Sequence, residues 1–512
     1  MLCAAALLLV LITLPYILAE QSAGESLVFG GFLLNPLDGT SYLAKMYQGW
    51  RGDWLFTLPY TAEVGKGALI YPFYLLLGHL ARWLGIPLLG IYHAARVLFA
   101  AIMSLAIFRF CLAYLSFGKG SRLAFLLTSF GSGLGWLALP FGGFTSDFWV
   151  AEAYPFLSAY VNPHFALGLA LMLLLVAPID TPTGKQSLRK SRIIDLLKFS
   201  LTSLVLALIS PFAIVIALLI WACMLIWEVI QARLERSLAE LQGYVERLAY
   251  IAVGGMPILV YQYLAVKIDP LLSGWMAQNV TPSPPVWDTI ISLAPLLLLA
   301  PYGARVIFLN RNKAQRLFLV WILVALLMLY VPFGLQRRFM MGIYIPVASL
   351  AALGVDRMIL DGRRFWLRSL LLLLMVLPTN LLVLQAARHG IQTRDERLYL
   401  RRDEMDALAW IDANTLPDDI ILASPETGLF IPAQTGRRVI YGHPFETVQA
   451  DEQRERVLDF YRGKDMPSSQ ALVDSVDYIY YGPREKEIGW NGLMDDIGLA
   501  YQNPSVVIYI TK

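Results

Sequence analysis

The chain has 512 residues, of which 57% are hydrophobic and only 15% charged, well under the roughly 25% charge of soluble domains, so it reads as a polytopic membrane protein. Its formal net charge of +3 gives no reason to expect a nucleic-acid partner. Three cysteines, all in apolar stretches and without a CxxC pair, and five histidines leave no sequence-evident redox or metal-cluster site.

In chain order, apolar runs near the 20 residues that cross about 30 Å of hydrocarbon fall at 2–18, 88–115, 121–141, 162–179, 194–210, 212–231, 248–267, 287–308, 317–333, 340–356 and 367–387, about eleven spans. The first lacks a basic leader and a small-x-small cleavage site, so it reads as a retained helix rather than a signal peptide. The segment 67–86 (GALIYPFYLLLGHLARWLGI) is apolar at first and then polar. Charge decides its place. Lys and Arg accumulate in cytoplasmic loops, and five basic loops are present: Lys119/Arg122; Lys185/Arg189/Lys190/Arg192/Lys198; Arg233/Arg236/Arg247; Arg311/Lys313/Arg316; and Arg357/Arg363/Arg364/Arg368. They share one side only if 67–86 does not cross, so it is expected to be a juxtamembrane or re-entrant helix. The loops 19–87, 142–161, 268–286 and 334–339, and everything after 388, then lie on the outer face.

From Arg394 the charge density rises. Helical patterns at 402–413, 449–463 and 484–499 alternate with strand patterns at 418–423, 437–441, 476–481 and 505–510. That alternation predicts a small α/β domain over 388–512, following a membrane domain over 1–387. There is no internal repeat.

The first outer loop holds Asp38, Asp53 and Glu63 among Tyr42, Trp50, Trp54 and Tyr60. Asp38 lies in NPLDGTSYLAKM, a turn that opens a short helix. The helix dipole there favours an ionised carboxylate, which suits a general base and equally suits a cap or turn residue. The second loop, SDFWVAEAYPFLSAYVNPHFALG, carries Asp147 and Glu152 and ends at Asn162 and His164, either an anion-binding helix entrance or an ordinary helix start with Pro163 at its first position. Arg337 and Arg338 in QRRFMMGIYIP sit on the outer face against the charge rule, and paired guanidiniums suit a lipid phosphate. The pairs His79/Arg82 and His93/Arg96 repeat one spacing, suited to a phosphate but better explained by packing. Trp50, Trp54, Trp83, Trp149 and Trp275 fit an aromatic belt as well as sugar stacking. NVT at Asn279 matches a glycosylation acceptor. In TGRRVIYGHPFET, Arg437, Arg438, His443 and Glu446 cluster with turn residues; a solvated strand end is favoured slightly over an acceptor-binding loop.

Together these residues resemble the GT-C superfamily of polytopic glycosyltransferases, of the protein O-mannosyltransferase and lipopolysaccharide aminoarabinose- or core-sugar-transferase type. Asp38 in LDGTSYLAKM matches the acidic residue of the family's first outer loop. IYPFYLLLGHLARWLG (70–85) is similar to its Pro-aromatic helix, Arg96 in YHAARVLF to its helix-opening Arg, and QRRFMMGIYIPVASLAALG to its late Arg-aromatic motif. The resemblance covers roughly 1–387 and implies a GT-C-like helical membrane domain. It implies inverting transfer of a sugar from a polyprenyl-phosphate donor to an extracytoplasmic lipid or glycan acceptor, in a bacterial-type plasma membrane. Asp38, with Glu152 or Asp147, would be catalytic. Arg338, Arg337, Arg96 and His79 would bind the donor phosphate, and Tyr42, Trp50, Asn162 and His164 the acceptor or sugar. No acidic partner adjoins Asp38, which leaves a divalent cation as an open question, and both Asp147 and Glu152 fit the second position. The competing classes are a flippase for lipid-linked saccharides, which the lack of repeats and of central charges disfavours, and a non-catalytic envelope scaffold.

Overall fold

The computed structural model describes residues 1–179, 185–232, 238–358, 362–464 and 466–511. Arg233 and Arg236 of the basic loops, with the side chains of Lys185, Arg189, Lys190 and Arg363, lie outside the described residues. The chain forms two compact units: Met1–Leu14 with Ala94–Tyr261 and Thr281–Ala386, and Pro15–His93 with Gln262–Val280 and Ala387–Lys512. One division falls at Ala386/Ala387, and the C-terminal segment clusters with Pro15–His93 and Gln262–Val280.

The spans are less regular than expected. Among the described residues five helices are long and apolar enough to cross a membrane, or up to eight if each bent pair counts as one. Three expected spans are such pairs, Lys119–Phe130 with Gly135–Phe141, Val286–Leu293 with Leu296–Asn310, and Arg364–Val376 with Pro378–Thr393, bent by 45°, 72° and 41°. Two others, Pro163–Leu175 and Arg316–Leu329, are short. The breaks fall where the chain carries Gly131-Ser132-Gly133, Pro295 and Pro378, residues that loosen a helix or remove its N–H donor.

In the first unit the helices Leu296–Asn310 and Tyr344–Met358 cross closely: a Cβ on Gly303 would lie 2.1 Å from the Leu350 carbonyl oxygen. Small residues at such crossings replace the hydrophobic drive that lipid does not supply. Polar side chains tie the broken ends. Tyr344 donates to the Ser132 carbonyl at 2.8 Å, and Asn380 Nδ2 to that of Phe130 at 2.8 Å. Arg247, stacked 3.7 Å from the Phe199 ring, donates to the carbonyls of Leu175 and Ala177 at the end of Pro163–Leu175, where a cation complements the helix dipole. Large apolar side chains such as Leu298, Leu323, Leu327 and Leu374 face outward, as a lipid solvent requires.

In the second unit, β1 (Leu27–Phe29) pairs antiparallel with β2 (Tyr399–Arg401), in the register Leu27↔Arg401 to Phe29↔Tyr399. A five-stranded sheet follows from β3 (Ile420–Leu422), β4 (Arg438–Val439), β5 (Tyr478–Tyr481), β6 (Gly498–Gln502) and β7 (Val507–Ile510), in the order β4-β3-β5-β7-β6. β3 is parallel to both neighbours, while β7 runs antiparallel to β5 and β6. Val457, Phe460, Tyr461, Leu472 and Met494 pack against it. The helix expected at 484–499 instead stops at Ile488, where Gly489 takes φ 157°, and the chain returns as β6.

The segment 67–86 holds one helix, Pro72–Leu84, of 13 residues. At 1.5 Å per residue it reaches about 20 Å, short of the hydrocarbon thickness. It packs tightly on the helix Pro36–Arg51: a Cβ on Gly78 would sit 1.9 Å from the Met46 carbonyl oxygen, and one on Gly49 2.0 Å from that of Leu75.

Candidate active site

In the second unit the sequence NPLDGTS builds the start of the helix Pro36–Arg51. Asn35 adopts a left-handed conformation as its cap, with Pro36 at the first position. Asn35 Nδ2 donates to Asp38 Oδ2 at 2.5 Å, and the Asp38 side chain remains 39% exposed. Asp38, Ser41 and Lys45 follow at i, i+3 and i+7, so one helix face carries all three.

Lys45 is wholly buried. Its Nζ donates to Glu446 Oε1 at 2.5 Å and to Ser41 Oγ at 3.1 Å, and Ser41 Oγ donates to the same Glu446 oxygen at 3.1 Å. The Tyr71 and Tyr42 rings lie 4.5 and 5.1 Å from the ammonium, close enough for cation–π attraction. Burial alone would raise the Glu446 carboxyl, but the Lys45 charge and the hydrogen bonds from Lys45 and Ser41 outweigh it and hold Glu446 below the usual carboxylate range.

His443 and Glu446 sit on the loop after β4. A Cβ on Gly442 would meet the Gly428 carbonyl oxygen at 2.3 Å and the Tyr60 ring at 2.7 Å, so only glycine lets the loop lie so close. Trp275 Nε1 donates to the Phe445 carbonyl at 2.9 Å. The Phe445 N–H donates to His443 Nδ1 at 3.1 Å, which leaves the ring proton on Nε2 in the neutral imidazole. Burial pushes the imidazole pKa down, against the pull of Glu446 and Asp38. Nε2 lies 4.0 Å from Asp38 Oδ1. His443 Nε2 and Glu446 Oε2 are both buried without a hydrogen-bond partner among the described residues.

The expected solvated strand end at 435–447 is therefore corrected: Arg437, His443 and Glu446 are buried, because the loop folds under a neighbouring helix rather than into solvent. Arg437 is structural, bonding Asp412 and Thr415. Lys45 and Ser41 carried no sequence signal beyond their spacing from Asp38.

His79, expected on a phosphate, stacks 3.8 Å from Trp54, with Nε2 3.0 Å from the Asp53 carbonyl oxygen. Tyr42 stacks on Tyr74 at 4.3 Å, and Trp50 stays half-exposed against Tyr47.

In the first unit the two acidic candidates separate. Asp147 is enclosed. The Gly133 and Gly135 amides donate to Oδ2 at 3.1 Å each, and Thr145 Oγ1 donates to Oδ1 at 2.6 Å. Burial raises its carboxyl pKa in spite of these donors. Glu152 instead accepts from Arg338 NH1 at 3.2 Å, and its carbonyl accepts from the Gly342 amide at 2.9 Å. The Arg338 side chain keeps 34% of its surface open, and the Arg337 guanidinium lies 4.6 Å from the Trp149 ring. Arg96, also expected on a phosphate, is buried and donates to the carbonyls of Ile12 at 2.8 Å and Tyr160 at 3.4 Å. Asn162 is buried as the N-cap of Pro163–Leu175, and His164 contacts Phe165. Among the described residues no group of three or more His, Cys, Asp or Glu is gathered for a metal ion.

Sequence comparison with family models and with curated proteins finds no match. Solved structures do match. The oligosaccharyltransferase AglB from Archaeoglobus fulgidus, in complex with an inhibitory peptide and a dolichol-phosphate, is similar over 100% of this chain and 74% of its own, with TM-score 0.58 and 11% identity. ArnT from Cupriavidus metallidurans is similar over 100% and 98%, with TM-score 0.52 and 12% identity. The arabinofuranosyltransferase AftD from Mycobacteria is similar over 99% and 40%, with TM-score 0.51 and 14% identity. The chain shares its fold with these glycosyltransferases.

Proposed function

We propose that this protein is a membrane glycosyltransferase that moves a sugar from a polyprenyl-phosphate donor to an extracytoplasmic acceptor with inversion. What supports the donor class is the fold shared with AglB, solved with dolichol-phosphate, and with ArnT, solved bound to undecaprenyl phosphate. The single observation that carries the site is Asp38, a partly open carboxylate at a helix N-terminus beside a buried polar cluster. The acceptor O–H gives its proton to Asp38, its oxygen bonds the anomeric carbon, and the bond from that carbon to the phosphate oxygen breaks. The Arg338 guanidinium, bonded to Glu152 at 3.2 Å and next to Arg337 in sequence, suits a lipid phosphate. We assign Asp147, His79 and Arg96 to packing rather than chemistry.

An AglB structure contains Zn and sulfate. Here the second carboxylate near Asp38, Glu446, is already paired with the buried Lys45 ammonium, a cation that competes with a divalent ion at this position.

In the Arg338→Ala protein the donor KM rises roughly tenfold or more, the scale of a charged hydrogen bond, and the acceptor KM does not change. Arg397→Ala, which removes an exposed surface guanidinium paired with Asp395, changes neither. Equal, small effects of the two would remove Arg338 from donor binding. The charge rule places the C-terminal segment outside the cytoplasm: alkaline phosphatase fused after Lys512 is active, and an inactive phosphatase with a fluorescent cytoplasmic reporter reverses the assignment.

A further inference from the structure

We propose that His443, supplied by the C-terminal α/β segment, is a positioning residue for the Asp38 carboxylate, held toward it by the buried Lys45–Glu446 pair. The inference rests on the transferase reading for its catalytic consequence and on geometry for the contact itself. The backbone N–H of Phe445 occupies Nδ1, so Nε2 must be the donor. That donor is buried, has no hydrogen-bond partner among the described residues, and lies 4.0 Å from Asp38 Oδ1. Asp38 Oδ2 is already taken by Asn35. A buried N–H left unsatisfied is costly, and the gap closes with a small movement of Asp38 or with one bridging oxygen.

The loop is fixed from behind. Lys45, on the same helix as Asp38, bonds Glu446, three residues beyond His443, and Trp275 bonds the intervening Phe445. The charged and titratable groups facing His443 are Asp38 and Lys45 from that helix, Glu446 from its own loop, and Tyr60, whose ring lies 5.6 Å away. A neutral imidazole, which burial favours, keeps Nδ1 free to accept and Nε2 fixed as donor. Residues more than 400 positions apart in sequence thereby share control of one carboxylate, which gives the C-terminal segment a part in the chemical step.

The test compares His443→Phe, which keeps the ring volume and loses the donor, with His443→Gln, which keeps an N–H. In His443→Phe the kcat for sugar transfer falls about 30-fold while donor and acceptor KM stay within twofold, a misplacement cost, and His443→Gln recovers to within about fivefold of wild type. Independently of turnover, labelling of Asp38 by a water-soluble carbodiimide, read by peptide mass at one pH, changes at least threefold in His443→Phe and returns in His443→Gln. Unchanged Asp38 labelling in a folded His443→Phe protein overturns the inference whatever the sugar assay gives. So does His443→Gln matching the defect of His443→Phe. A wild type that transfers no sugar, with labelling that still responds, removes the transferase reading and leaves the contact standing.

Discussion

Asp38→Asn, purified and returned to proteoliposomes with a polyprenyl-phosphate sugar, loses transfer by about a thousandfold, within the range that a positioned base contributes. Its melting temperature stays within about 2 °C of wild type, since an isosteric change at a partly open side chain costs little. Asn keeps the shape of the side chain and an oxygen that still accepts from Asn35 Nδ2, so cap and helix survive. What is lost is the capacity to take a proton. A variant that keeps more than a tenth of wild-type turnover would show that Asp38 is only the turn residue that its Asn-Pro-x-Asp setting also allows.

The second large effect is on stability. Lys45→Ala destabilises the unit carrying the α/β segment by about 3–5 kcal/mol, the cost of breaking a buried ion pair. In thermal unfolding that is a fall of roughly 10 °C. The mechanism is specific: Glu446 is left charged and buried without its cation, and the aromatic cage of Tyr42, Phe56 and Tyr71 is left around a void. A Lys45→Met/Glu446→Leu double variant recovers most of the loss, because replacing both charges removes the desolvation penalty together with the attraction. If the single variant melts like wild type, the pair is not holding the loop.

The pH dependence runs the same way for both buried groups. Glu446 has a depressed folded pKa, so its contribution is complete above the ordinary glutamate value of 4.5 and is lost as pH falls through and below it. His443 is also depressed. As pH falls below 6.5 the unfolded chain takes up a proton that the folded chain resists, and stability drops. Wild-type unit stability therefore declines from about pH 6.5 downward. In Lys45→Ala the Glu446 part of that decline disappears, since without its cation burial no longer meets an opposing charge.

How much of this was legible depends on whether a signal is local. Asp38 stood out as a candidate because a turn, a proline and a helix start lie within four residues of it. Arg338 stood out because two guanidiniums lie in a turn expected on the outer face, against the charge rule. Asp147 and Glu152 could not be told apart: what separates them is Ser292 and Asp288 walling in one and Arg338 meeting the other, contacts more than 130 residues distant in sequence. His443 and Glu446 were visible as charges among turn residues, but their burial was not, because the covering helix comes from the opposite end of the chain. His79 and Arg96 shared a spacing with a neighbouring His or Arg that suited a phosphate, and aromatic stacking and main-chain carbonyls claimed them instead.

Composition and hydropathy by themselves determined that this is a helical membrane protein with a small α/β segment behind it, because the cost of burying charge in lipid is settled residue by residue along the chain. Only the tertiary structure decided that Leu27–Phe29 pairs with Tyr399–Arg401, that apolar runs bend into broken helices, and that a lysine, a glutamate and a histidine gather behind Asp38. Strand pairing and charge burial depend on which distant segment arrives at a surface, and no local window of sequence carries that choice.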